Sequence, residues 1–168
     1  TKYMMAFLNK INRAPGSEVF PIATKALGGI MLFNKEIEEI CNEKIIYTIS
    51  GAEPIGPKEL LDVLVIAPCT GNTLAKLSHG IADGPVTMAA KSHLRNNRPI
   101  LIAVSTNDAL SGAAANIGTL TNRKHYYFVP FGQDDPQNKP TSLIADFGQI
   151  PLALEEALQG RQLQPILL

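Results

Sequence analysis

The sequence predicts an α/β protein built on an open, doubly wound parallel sheet in three layers, and three observations predict it. Apolar runs at residues 62–67, 99–106 and 126–130 lack the polar alternation of a strand with one wet face, so each is expected to be covered on both sides. Segments with helical spacing of apolar residues lie between these runs, giving the strand and helix alternation of an α/β sheet. Each run ends in a cluster of turn formers, and in such sheets the crevice that takes a ligand opens outside the strand carboxyl ends. At 168 residues the chain can bury a core without disulfides or metals, and residues 1–168 read as one domain.

Taken in order, Thr1 can cap a first helix in which Met4, Met5, Leu8 and Ile11 recur at helical spacing. Pro15 and Gly16 then turn the chain into a short strand at residues 18–23. A helix over residues 34–43, capped by Asn34, places Ile37, Ile40 and Cys41 on one face and carboxylates on the other. Residues 45–49 form a short edge strand, and a connection rich in proline and glycine leads to the strand at 62–67. Helices are expected at 73–82 and 85–96, the second stopping before Pro99. The strand at 99–106 is followed by the small-residue stretch SGAAANIGT, which fits either a flap over a site or a tightly packed helix. After the strand at 126–130, residues 143–160 form a closing helix ended by Gly160.

Charge and composition narrow the function classes. Fifteen basic and fifteen acidic residues cancel without long blocks of one sign, so the electrostatic footprint of a nucleic-acid binder is missing. The two cysteines, Cys41 and Cys69, have neither metal-ligand spacing nor a disulfide framework, which fits a reducing compartment. His79, His93 and His125 are scattered, with no carboxylate or cysteine at ligand spacing, and no metal site is expected. Apolar stretches are too short to span a membrane and no signal-peptide pattern opens the chain, so a soluble, cytoplasmic protein is expected.

Three polar turns carry the candidate chemistry. The first, PCTGNT, offers the Cys69 thiol, the Thr70 and Thr73 hydroxyls, the Asn72 carboxamide and the unpaired N–H groups of a helix start, an arrangement that suits an anion or a polar ring. Its plainer use is capping, with Thr70 or Asn72 satisfying those N–H groups. Cys69 is expected to be a small buried residue, although a helix N-terminus can activate a thiol. The second turn gathers Ser105, Thr106, Asn107 and Asp108, and the third covers residues 131–133; all three can line one crevice. Neither G-x-G-x-x-G nor GK[ST] is present.

The stretch PCTGNTLAKLSHGIADGP resembles the signature of the flavoprotein superfamily that includes the homo-oligomeric flavin-containing cysteine decarboxylases, Pro-Ala-Ser-Ala-Asn-Thr followed by Lys, Gly and Asp. The matching positions are Pro68, Asn72, Thr73, Lys76, Gly80 and Asp83, with Cys69, Thr70 and Gly71 at the variable places. The blocks AEPIGPK, MAAKSHLRNNRPILIAVSTNDAL, YYFVPFGQDDPQNKP and EALQGRQLQPILL are similar to the family of dipicolinate synthase B subunits, and the resemblance covers most of the chain after Ser50 but is weak over residues 1–50. It implies a Rossmann-like or flavodoxin-like three-layer fold that holds a flavin, FMN, at the strand carboxyl ends. Asn72 and Thr73 would contact the flavin, with Pro68, Cys69, Thr70 and Gly71 as neighbours, and Ser105, Thr106 and Asn107 would form the second flavin-facing loop; no catalytic residue is identified.

The resemblance further implies an NADP-dependent A subunit as partner, a cyclic dicarboxylate substrate, a homo-oligomer, and a role in making dipicolinate, the calcium chelator of endospores, from a dihydrodipicolinate-level precursor. Lys76 and Lys91 could attract the substrate carboxylates. Two features depart from the pattern. The decarboxylases' Pro-x-Met-Asn-x-x-Met-Trp substrate motif is replaced by STNDALSGAAANI, and the family's first strand and phosphate-binding turn are expected to precede Thr1. Two alternatives stand beside this reading: a non-catalytic docking partner of the A subunit with a vestigial flavin crevice, and a stand-alone relative of the flavin-dependent decarboxylases or prenyltransferases.

Overall fold

A computed structural model describes residues 18–23 and 31–168, with side chains in the first helix described from Lys35 onward. The elements run α1 (Met31–Cys41), the helical turn α2 (Ile49–Ala52) with a 3-10 turn (Glu53–Ile55), β1 (Leu64–Cys69), α3 (Gly71–His79), α4 (Pro85–Leu94) and β2 (Ile100–Thr106). They continue with α5 (Ala114–Thr121), β3 (Tyr126–Phe128), β4 (Phe131–Gly132), β5 (Leu143–Ala145), a 3-10 turn (Phe147–Gln149) and α6 (Ile150–Leu158). The helix expected from Thr1 through Ile11 lies outside the described residues.

Strand β2 is the centre of the sheet. It pairs in parallel with β1 (Leu64↔Ile100, Ile66↔Ile102) and with β3 (Ile100↔Tyr126, Ile102↔Phe128). Beyond Val104 it pairs antiparallel with β5 through Ser105↔Ile144 and Thr106↔Leu143, and β5 pairs antiparallel with β4. The sheet is therefore parallel at its centre, as expected, and mixed at the end where the polar turns lie. Residues 100–104 are each 0 % exposed, which only a strand covered on both faces achieves. Helices α3, α4 and α5 pack side by side, α4 also against β1 and α5 against β3, while α6 packs on β2 and β3.

Local chemistry sets the boundaries. Thr87 Oγ1 accepts from the Gly84 N–H (3.2 Å) and donates to Gly84 O (3.1 Å), and Pro85 follows at the first helical position, so α4 starts there. Helix α3 stops at Gly80, whose φ of 70° a side chain would resist.

The structure corrects several expected elements. The strands at 18–23 and 45–49 reduce to one bridge, Ile22↔Ile46, closed by Ala23 N–H to Ile46 O (3.1 Å) and Ile46 N–H to Pro21 O (2.9 Å). Helix α1 begins at Met31, so Asn34 lies inside it rather than capping it. Of the two readings of the small-residue stretch, the helix holds for residues 114–119, which lie in α5, while residues 111–113 form the turn before it. Residues 131–132 are strand β4 rather than a turn, because Pro130 breaks β3 and its carbonyl takes the Asp146 N–H (2.8 Å). Residues 143–160 are not one helix: Leu143 and Ala145 are buried with Ile144 exposed, the period of a strand, and Asp146 then accepts from the Gly148 N–H (3.0 Å) to start a new helical segment.

His93 couples this core to pH. It is fully buried, its Nε2 donates to Pro99 O (2.9 Å), and Nδ1 has no partner among the described residues. Burial pushes its pKa below the ordinary 6.5, with Arg98 lowering and Asp62 and the Pro99 bond raising it. The unfolded chain then binds a proton that the folded chain refuses. Folding stability is expected to be complete above about 6.5 and to fall as pH drops from there toward the folded pKa. Urea unfolding at a series of pH values checks this: His93→Gln is expected to flatten the acid limb while losing some stability at neutral pH.

Candidate functional site

The carboxyl ends of β1 and β2 open into a crevice of about 400 Å³ lined by Thr70, Ser105, Thr106, Asn107, Asp134, Lys139, Ser142, Leu143 and Ile144. Two of the three expected turns meet there; the third, residues 131–133, does not line it, and its place is taken by Asp134, Lys139 and Ser142 from the loop that follows.

The first turn is built for close approach. Thr70 is the N-cap of α3 with extended backbone (φ −85°, ψ 164°), yet its side chain makes no capping hydrogen bond; its hydroxyl lies 3.5 Å from that of Thr73. The capping use expected of Thr70 is therefore not made, and the first N–H groups of α3 remain available. Gly71 follows with no room to spare: a Cβ here would meet Asp108 Oδ1 at 2.7 Å and Thr106 Oγ1 at 2.9 Å. Thr106 Oγ1 in turn donates to Asp108 Oδ1 (2.5 Å), so a carboxylate from the second turn sits beside the positive end of α3.

The wall opposite is the loop from Gln133 to Ser142. Gln133 Nε2 donates to Pro140 O (2.8 Å), and Asp135 accepts from the Asn138 backbone N–H (3.2 Å) and amide (3.0 Å), which folds the loop on itself. Thr141 Oγ1 donates to Asn107 O (2.7 Å) and Ser142 Oγ lies 3.5 Å from Asn107 Oδ1, tying the loop to the second turn. Lys139 Nζ stands 3.8 Å from Asp134 Oδ2. The Ser142 hydroxyl, with Lys139 beyond it, holds the Asp134 carboxyl below the usual carboxylate range, so it stays ionised.

The other sequence-derived candidates fall as follows. Pro68 and Asn72 are exposed and Thr73 and Gly71 half-buried, and none of the four lines the crevice, which Thr70 alone reaches from the first turn. Cys69 is 0 % exposed, the small buried residue expected, and burial pushes its thiol up to about 12, the direction opposite to activation. Lys76 is held by Asp83 (2.9 Å) and, with Lys91, lines a different crevice, so neither faces the first one. Sequence reasoning does not single out Asp134, Lys139 or Ser142; the run QDDPQNKP is the available signal, a polar cluster too long to be a bare turn. Among the described residues no group of three His, Cys, Asp or Glu side chains could hold a metal ion, and no helix is long and apolar enough to cross a membrane.

Comparison with known proteins places these features in a family. Residues 3–149 match the family described as Flavoprotein. The chain is 45% identical over 159 residues to the dipicolinate synthase B subunit of Bacillus subtilis (strain 168), covering 90% of this chain and 80% of that one. The crystal structure of the dipicolinate synthase B subunit from Bacillus halodurans superposes with a TM-score of 0.88 at 40% identity, over 96% of this chain and 87% of that one. The FMN-dependent cysteine decarboxylase SpaF shares the fold, with a TM-score of 0.69 at 23% identity over 93% of this chain and 89% of that one. The arrangement of mixed sheet and helices is thus flavodoxin-like.

The tight contact at Gly71 is testable. Gly71→Ala is expected to cost about 1–3 kcal/mol in urea unfolding, the range of overpacking. Because the clash is with Asp108, the double variant with Asp108→Ala is expected to lose less than the sum of the single losses, by at least about 0.5 kcal/mol.

Proposed function

The chain belongs to the Flavoprotein family, and on that premise we propose that it is the flavin-holding B subunit of a dipicolinate synthase. In this reading it works with an NADP-dependent A subunit to convert a dihydrodipicolinate-level precursor to dipicolinate. The observation that carries the reading is the convergence of Thr70 with Ser105, Thr106 and Asn107 on one crevice at the carboxyl ends of β1 and β2, in a homologue of that subunit.

The residues fit a flavin. The uncapped start of α3 supplies N–H donors, Gly71 lets the second turn pack against that start, and hydroxyl and carboxamide groups of Thr70, Thr73, Ser105, Thr106 and Asn107 match the alternating donors and acceptors of a flavin ring edge. Pro68, Cys69 and Asn72 complete the turn, Cys69 through its backbone alone. A bound flavin supplies a two-electron redox centre. The chain's own contribution is positioning: Asn72 and Asn107 orient carbonyl and ring-nitrogen groups without exchanging protons at neutral pH, and Lys139 puts a cation where a substrate carboxylate would lie.

A second reading has its own observation. Asp134 has Lys139 at 3.8 Å and is held ionised by Ser142, and Asp108 accepts from Thr106, so the carboxylates at the crevice already have partners, as they would in a vestigial site of a non-catalytic docking partner.

An FMN titration followed by visible absorbance separates the two. The flavin reading expects saturable binding, weakened at least about tenfold by Asn72→Trp, and A-subunit activity that depends on the loaded chain. No binding at saturating FMN, with the A subunit active alone and merely enhanced by this chain, contradicts it and leaves the docking partner.

A further inference from the structure

A second crevice, of about 340 Å³, lies between α3 and α4 beside the start of β3 and shares no lining residue with the first. In a chain whose charges cancel, its lining carries four cations, Lys76, Lys91, Arg95 and Arg123, and no carboxylate. They are not equivalent. Lys76 is neutralised by Asp83 at 2.9 Å. Arg123 donates to Leu77 O (3.3 Å) and Ser78 O (2.8 Å), which fixes its guanidinium against the carboxyl end of α3. Lys91 and Arg95, one turn apart along α4 and its C-cap, have no acidic partner among the described residues.

Tyr126 adds a neutral donor to the same wall. It lines the same crevice, is only 8 % exposed, and its hydroxyl has no hydrogen-bond partner among the described residues. Burial raises its pKa, so it stays a neutral donor. Its ring is buried while its hydroxyl stays open to solvent, where it is free to donate to a bound ligand. The remaining lining is largely apolar, with Leu77, Ala90 and Leu94 as its floor.

We infer that this crevice is a binding site for a small aromatic carboxylate, its ring on the Leu77, Ala90 and Leu94 floor and its carboxylate between Lys91, Arg95, Arg123 and the Tyr126 hydroxyl. A carboxylate accepts from several donors at once, which suits a phenol and three cations. The volume falls within the small-molecule range of about 300–1,000 Å³. The apolar floor selects against a bare inorganic anion. The site owes nothing to the flavin crevice and stands whether or not that crevice holds a cofactor.

The test is isothermal titration calorimetry of the full chain with benzoate and, separately, inorganic phosphate, in the absence of FMN and of any partner protein. Benzoate is expected to bind saturably and more tightly than phosphate. The Lys91→Ala/Arg95→Ala pair is expected to weaken it about tenfold and Tyr126→Phe several-fold, the loss of charge-assisted and neutral hydrogen bonds respectively. Lys58→Ala, at an exposed lysine that lines neither crevice, should leave it unchanged. Absence of saturable benzoate binding overturns the inference, as does phosphate binding equally well, or sensitivity to Lys58→Ala without sensitivity to Tyr126→Phe. If the double variant does not fold, Tyr126→Phe, which keeps the packed ring, decides alone.

Discussion

The structure depends on the pairing of β2. This strand holds β1 on one side and β3 on the other, and then, within its last two residues, gives up parallel pairing for an antiparallel contact with β5. Its first five residues are sealed from water and its last two are half-exposed, so burial ends where the polar side chains begin. A strand fixed that firmly on both edges cannot let Ser105 and Thr106 drift. That rigidity is what a site needs from its scaffold. The C-terminal half of the chain serves the same end: β4 and β5 extend the sheet past the point where the parallel strands stop, and the loop between them is bonded back to Asn107.

The two crevices divide the molecule's charge chemistry. The upper one is polar and self-paired, with Asp134 held by Ser142 and Lys139 and with Asp108 held by Thr106 beside the start of α3. A ligand there meets hydroxyls, amides and helix N–H groups, and gains orientation more than bulk electrostatic attraction. The lower one is cationic over an apolar floor, and its charge is largely uncompensated. A net charge of zero thus conceals one near-neutral site and one basic one.

Much of the fold is legible in the sequence because buried parallel strands announce themselves. Residues 100–106 read as a strand covered on both faces, and that is where β2 lies; the helices after Thr70 and Gly84 are visible from apolar spacing, and Gly160 marks its helix end. Strands of two and three residues are not legible. Phe131 and Gly132 are too few to show a period, and Leu143 to Ala145 merges by composition into the helix that follows, so only tertiary pairing distinguishes them. The turns at 68–73 and 105–107 stand out because their residue types are informative. Lys139 and Ser142 escape a sequence reading because their place in the crevice comes from a loop that folds back on Asn107 from far along the chain, a contact that no local pattern encodes. Lys76 and Lys91 are visible as cations, but only the packing of α3 on α4 shows that they face elsewhere.

Whether the crevice at the carboxyl ends of β1 and β2 is where the proposed flavin binds is read most directly from the backbone amide chemical shifts of the isotope-labelled chain during addition of FMN. Binding there gives saturable shifts concentrated at Gly71, Asn72 and Thr73 and at Ser105, Thr106 and Asn107, with smaller ones at Ser142. Shifts confined to the neighbourhood of Lys91, Arg95 and Tyr126, or no saturable shifts at all, would contradict it.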